Sequence, residues 1–369
     1  MPTGQTRIQR LTIGSTAALL VTIAGCQTTE MGLAEPTNTQ TDPSSVLTPA
    51  ETLTPADSAA RTVIERSTLR EQALSTLVEY SASNNALLRA NALEALSPAG
   101  KRLQAPLAAG LVDPNEGVRA IAAVLVGREQ VKPLAASVRP LLRDPSVRVR
   151  ASAIYALRAI GADVDPTPLG TYLLESEEPG VRAHAAFLLG ELGDKSAMPL
   201  LRQALHEKIP GASEQQERLV GLQIAEAMVK LGDKSRLEGL RAALYPARPD
   251  EFEIAVLATQ ILGRLGDRAS IPQLINLSEY TQNGRTVPPE LRLAVADAAA
   301  RMGRREGWFI AETYIEDADP LRRSQAALVL GQTGRDEDLE TLAGLLDDPN
   351  PLVRAAASGS ILEITTPGR

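Results

Sequence analysis

A short phrase that returns at a near-constant interval constrains this chain more than any other feature. In its fullest form, Val181-Arg182-Ala183-His184-Ala185 leads to Leu189-Gly190-Glu191-Leu192-Gly193. Val149-Arg150-Ala151-Ser152-Ala153 leads likewise to Leu157 and Ile160-Gly161, Arg292 to Met302-Gly303, and Arg323 to Leu330-Gly331 and Gly334. Anchored on the arginine, the phase runs Arg89, Arg119, Arg150, Arg182, Gly221, Ala255, Arg292, Arg323 and Arg354, in steps of 30, 31, 32, 39, 34, 37, 31 and 31 residues. A period of this size belongs to helical hairpins stacked in an array, where each unit buries its apolar face only against its neighbours. Nine such units fit.

Each part of the phrase has a physical reason. Apolar residues at offsets 1, 3, 7 and 10 from the anchor form one stripe of a helix. The alanines allow close helix–helix approach. Gly161, Gly193, Gly232, Gly266, Gly303 and Gly334 stand where a helix must end in left-handed backbone. Asp113-Pro114, Asp144-Pro145, Asp319-Pro320 and Asp348-Pro349 break the chain before a second helix. Composition agrees: 44% of residues are hydrophobic but only 3% aromatic, so the apolar fraction is mainly alanine and leucine, which favour helices over sheets.

The N-terminus obeys different rules. Arg7 and Arg10 precede an apolar stretch, Leu11–Ala24, that is too short to span a bilayer, and small residues lead to Cys26, the chain's single cysteine. An intramolecular disulfide is thereby excluded. Ile23-Ala24-Gly25-Cys26 resembles the lipobox of bacterial lipoproteins. The resemblance implies a signal peptide over residues 1–25, diacylglyceryl transfer to the Cys26 thiol and acylation of the new N-terminus (palmitate among the acyl chains), since stable anchoring takes more than one chain. It also implies a place in the bacterial envelope, on the outer membrane facing the periplasm in a Gram-negative cell. Residues 26–60, rich in Thr, Pro and Ser, read as a disordered tether. A flexible tether of that length averages roughly 30–35 Å end to end. Residues 61–369 are the folded body.

The D-P-x-x-x-V-R-x-x-A grammar of that body resembles the HEAT-repeat family, in its phycobilisome-lyase-type HEAT-like branch. The resemblance implies a right-handed α-α superhelix, a HEAT/armadillo-like solenoid of about nine helical hairpins. It further implies that an Asp six residues before the Arg helps build a polar ladder between stacked units, here with the pairs Asp113/Arg119, Asp144/Arg150, Asp317/Arg323 and Asp348/Arg354.

Little in the sequence points to chemistry. His184 and His206 fall in different units and Cys26 is set aside for acylation, so neither a zinc set nor a Cys–His nucleophile can be assembled. Gly193-Asp194-Lys195-Ser196 and Gly232-Asp233-Lys234-Ser235 lack the upstream glycine of a phosphate loop and share one repeat phase, as turns would. The acidic clusters Glu175-Ser176-Glu177-Glu178, Asp336-Glu337-Asp338 and Asp347-Asp348 read as solvated helix junctions. Without Arg7 and Arg10 the chain keeps 36 basic against 45 acidic residues, a poor balance for nucleic acid. The expectation is a protein that is not an enzyme and needs no cofactor or metal. Trp308-Phe309, opening a first helix, reads as core.

The breaks in the pattern are the most informative. Units five and six carry Gly221 and Ala255 in place of arginine, and the three longest steps place extra residues at Ile209–Gln216, Tyr245–Glu251 and Tyr280–Pro289. All three precede second helices, so they project from one edge. Tyr245, Arg248, Tyr280, Asn283 and Arg285 are of types that form contact hot spots. The expected function is a membrane-tethered scaffold binding a protein, or a cell-wall polymer, along its concave face or this loop edge. An enzyme of the bilin lyase type and a purely structural envelope protein are the alternatives.

Overall fold

The computed structural model describes residues 55–245, 252–279, 281–282 and 285–366, with side chains from Val63 onward. Cys26, the proposed signal and residues 26–54 of the tether lie outside the described residues, whereas residues 55–60, read as tether, are helical and open α1. Nine hairpins follow one another: α1 (Pro55–Tyr80) with α2 (Ala86–Ala95), α3 (Gln104–Gly110) with α4 (Glu116–Arg128), α5 (Ala135–Val138) with α6 (Val147–Ala159), α7 (Thr167–Glu175) with α8 (Pro179–Leu192), α9 (Met198–His206) with α10 (Glu214–Lys230), α11 (Arg236–Ala242) with α12 (Phe252–Leu265), α13 (Ile271–Glu279) with α14 (Pro289–Arg301), α15 (Trp308–Glu312) with α16 (Pro320–Thr333), and α17 (Leu339–Gly344) with α18 (Pro351–Thr365). The only β-structure among the described residues is a ribbon of β1 (Thr281–Gln282) and β2 (Arg285–Thr286), inserted before α14.

The repeat phrase explains the local structure. Asn85, Asn115, Asp319 and Asn350 cap second helices by accepting from backbone N–H groups two or three residues on. At the other end, eleven residues after the anchor, Gly100, Gly161, Gly193, Gly232, Gly266, Gly303 and Gly334 all have positive φ, and Gln130 takes the same position with φ 54°. Eight residues after the anchor, Gly127, Gly190, Gly263 and Gly331 let the next second helix approach until backbone touches backbone. A Cβ on Gly263 would sit 2.8 Å from Ala298, and one on Gly331 2.5 Å from Ser360.

The array is an α-α solenoid, and it closes. Each second helix packs between those of its two neighbours, and α18 packs not only on α16 but on α1 and α2. One apolar core therefore runs through both ends of the chain, joining Leu77, Leu93 and Leu107 to Leu330, Val353 and Leu362. The remaining cores fill units three to five and five to seven. Arg66 and Arg70 of α1 seal the joint by donating to the end of α18, to Ile364 O at 2.6 Å, Leu362 O at 3.1 Å and the Thr366 hydroxyl at 2.9 Å. Cations are well placed there, where the last carbonyls of a helix lack intrahelical partners.

Closure changes what the concave face is. The concave face expected of a superhelix becomes a lumen lined by second helices. Two further readings are corrected in part. Trp308 packs against the core beneath the Arg335 guanidinium, 4.1 Å from its ring centre, but Phe309 is 53% exposed because α15 is only a short turn with one inward face. The residues added at 209–216 are partly helix: α10 starts a turn early, capped by a reciprocal Ser213/Gln216 box.

Candidate functional site: the rim ladder, the loop edge and the lumen

The anchor arginines lie along one rim and tie each unit to the next. Arg89 donates two bonds of 2.6 Å to Asp113, Arg119 bonds of 2.8 and 3.0 Å to Asp144, and Arg323 bonds of 2.8 and 2.9 Å to Asp348. Such bidentate pairs fix both distance and angle between neighbouring hairpins. Each arginine also reaches back within its own unit, to a backbone carbonyl rather than to the carboxylate: Arg119 to Asp113 O, Arg150 to Asp144 O and Arg323 to Asp317 O, all at 2.7 Å. The ladder thus differs from a set of pairs within each unit, since the carboxylates belong to the arginines one unit earlier. Asp317 is outside it, accepting instead from its own loop at Asp319 N.

Where the acceptor is tyrosine, a hydroxyl and a ring replace the carboxylate. Arg150 meets Tyr172 and Arg292 meets Tyr314, each with its guanidinium 5.8 Å from the ring centre. Arg354 meets Tyr80 in the same way, 5.7 Å from the ring centre, so unit one receives unit nine as any unit receives its predecessor. At Arg182 the rung is stretched, with Glu207 3.9 Å away.

Units five and six, lacking the arginine, are joined elsewhere. Glu226, 1% exposed on α10, takes two bonds from Arg264 at 2.7 and 3.0 Å and lies 2.9 Å from Lys230, which reaches Glu191 at 2.5 Å. Burial alone would raise its carboxyl, but the two cations override this and hold it at about 2. On the loop edge of these units, Tyr245 is half exposed and donates to Gln273 O at 3.3 Å, while Arg285 pairs through its backbone residue position with Gln282. Arg248, Tyr280 and Asn283 lie outside the described residues.

The two glycine-led phrases form turns. Asp194 accepts from Ser196 N at 2.9 Å, and Asp233 accepts from the Ser235 hydroxyl at 2.6 Å. His184 is buried, its Nε2 2.9 Å from the Ser152 hydroxyl, and burial followed by the Arg148 charge lowers it to about 3.

The lumen was not read from the sequence. A cavity of about 840 Å³ lies in it, between second helices of units one, seven, eight and nine and the turns at Arg128 and Arg268. Glu94 of α2 faces it, and burial raises that carboxyl to about 7 against the pull of Arg128. Gln325 of α16 lines it too, 3% exposed and with neither its amide oxygen nor its amide nitrogen hydrogen-bonded among the described residues. Gln223 and Gln260, on α10 and α12, are buried with unpartnered amide atoms as well. A signal existed: five residues after the anchor, Glu94, Glu226, Gln260 and Asp297 interrupt otherwise apolar helices at one phase.

A family model for HEAT repeats matches residues 166–255 and 285–361. The chain carries HEAT repeats. No curated protein sequence matches it. Among solved structures, the HEAT array is similar to human deoxyhypusine hydroxylase in complex with glycerol, at 16% identity and TM-score 0.34, covering 83% of this chain and 98% of that one. It is also similar to the complex of CpcE and CpcF of phycocyanin lyase from a Nostoc species, at 19% identity and TM-score 0.38, covering 79% and 98%. An engineered protein follows at 16% identity and TM-score 0.31, covering 78% and 88%. Since a hydroxylase and a lyase stand among these structures, the expectation that a HEAT array of this kind is not an enzyme is withdrawn. The likeness is one of fold and carries neither activity to this chain.

Proposed function

We propose that this protein is a membrane-tethered HEAT-repeat scaffold of the bacterial envelope, holding a protein partner on the loop edge of units five to seven. The observation that carries this reading is a coincidence of irregularities. Units five to seven lengthen the turns before their second helices, two of the three, five and six, also lose the rim arginine, and Tyr245 is exposed among them. Loops on a rigid frame are where binding surfaces are usually built. Closure supports the edge over the concave face, because a lumen with a cavity of about 840 Å³ has no room for a folded partner. The tether rests on Arg7, Arg10, the Leu11–Ala24 stretch and the sole cysteine, Cys26.

Crosslinking and pull-down from intact cells tests both parts. The lipidated protein is expected to recover a partner that is lost when Tyr245, Arg248, Tyr280 and Arg285 are replaced together by alanine in a chain that still folds. Cys26→Ala is expected to release the protein from the membrane fraction. Equal recovery by the fourfold variant would sink the edge, and unchanged membrane association of Cys26→Ala would sink the tether.

A further inference from the structure

The lumen cavity has the composition of a small-molecule site. Its floor on α18 is Ala355, Ala356, Gly359 and Ser360, small residues where α18 lies between α2 and α16. On one flank stands Gln325, buried with a free donor and a free acceptor side by side. On the other stands Glu94, partly buried and near Arg128. The cavity's arginines are not equivalent. Arg301 is already held by Asp297 at 2.7 Å, and Arg128 bonds Glu129 and the Ser97 hydroxyl, whereas Arg268 and Arg305 stand exposed at the outer turns.

A buried amide with both ends unpartnered is costly, and another amide satisfies it with one bond in each direction. A partly buried carboxyl is complemented by an ammonium group. Arginines at the mouth suit a carboxylate. The volume is that of an ordinary small-ligand site, and the apolar lining (Leu321, Leu328, Leu352) suits small aliphatic side chains.

From this arrangement we infer that the ring binds a short zwitterionic peptide in its lumen, with the peptide amide on Gln325, the amino terminus toward Glu94 and the carboxylate toward Arg268 and Arg305. This is separate from the loop edge and does not depend on it.

The test is calorimetric titration of the full chain, purified in detergent, with trialanine and with N-acetyl-trialanine. Saturable binding of trialanine is expected. Affinity should fall about tenfold or more in Gln325→Leu, which cannot return either bond, and by a similar factor for the acetylated peptide, which lacks the ammonium. The acetyl comparison uses the native chain and so remains decisive if the variant fails to fold. No saturable binding up to the solubility of trialanine overturns the proposal. So does equal affinity for the two peptides, or undiminished binding in a folded Gln325→Leu protein.

Discussion

Units one to three and seven to nine each pass a rim arginine to the next unit, whereas unit five meets units four and six through a cluster on their second helices. In the first group a guanidinium spans two hairpins at the rim, as Arg119 does to Asp144. In the second, Gly221 and Ala255 take the arginine's place, and the link becomes the cluster of Glu191, Lys230, Glu226 and Arg264, in which Glu226 is buried. The difference teaches that the array conserves a polar tie per joint without conserving where it sits. Moving the tie inward frees the rim of units five and six from the geometry an arginine rung imposes, and the loops before their second helices lengthen, as does the one in unit seven, which keeps Arg292.

The two kinds of tie should differ most when broken. Removing Glu226, 1% exposed, takes both bonds from Arg264 and leaves Lys230 with Glu191 alone, whereas removing Arg119 leaves Asp144 still accepting from Ser146 N. Glu226→Ala is expected to lower stability by about 3–5 kcal/mol, and Arg119→Ala by about 1–2 kcal/mol. Urea denaturation measures both. Equal losses would mean that the lumen is wet enough to screen the cluster, and the distinction between rim and lumen would fail. Acid should reveal the same cluster: Glu226 is held below its unfolded value of 4.5, so its stabilisation is complete above that pH and is lost as pH falls toward 2.

Much of the rim half was legible in the sequence. The anchor phase located all nine second helices, and the glycines eleven residues on have the left-handed backbone their position demanded. The register of the ladder was less so, because spacing cannot tell whether Asp144 serves Arg150 or Arg119. Closure was not legible at all. It depends on a small rotation per unit accumulating to a full turn, and Tyr80 looks like any helix-terminal tyrosine until Arg354 is placed beside it. The lumen half followed from that omission: Glu94 and Gln325 become cavity walls only when unit nine meets unit one.

A second difference between regions is titratable. Rim ion pairs stay charged through the ordinary range, but His184, between α6 and α8, is kept neutral by burial and by Arg148. Its folded value, about 3, lies below the unfolded 6.5, so the unfolded chain binds a proton that the folded one refuses. Stability should therefore be unaffected above pH 6.5 and fall by about 1.4 kcal/mol per pH unit below it, toward pH 3. His184→Gln keeps a partner for Ser152 and removes the proton, so its stability against pH should be flatter by one proton over that interval. An unchanged slope would assign the acid limb to the carboxylates.

Closure itself can be weighed by comparing one rung with its copy. Arg150→Ala breaks a tyrosine rung inside the array, and Arg354→Ala breaks the same rung across the joint. In a closed ring both should cost about 1–2 kcal/mol. An array open in solution would lose that amount for Arg150→Ala but only Arg354's bonds to Asp348 O and Pro349 O of its own unit for Arg354→Ala, a clearly smaller cost.

The smallest effect concerns an exception within the regular half. At the position where seven of the other units have glycine, unit two has Gln130, with φ 54°. Left-handed backbone costs a side-chain-bearing residue about 1–2 kcal/mol. Gln130 offsets it by donating to Gly127 O at 2.7 Å and to Ala159 O, in the next unit, at 3.1 Å. Those two bonds together contribute about as much as the strain takes away. Gln130→Gly loses the bonds and the strain at once, and also frees the unfolded chain, so its stability should lie within about 0.5 kcal/mol of the native protein. Gln130→Ala loses the bonds and keeps the strain, and should fall about 1 kcal/mol below both. Thermal melts of the three proteins order them. If Ala and Gly were equal, the left-handed turn would not be what the repeat's glycine is for, and the phase that defines the nine units would rest on packing alone.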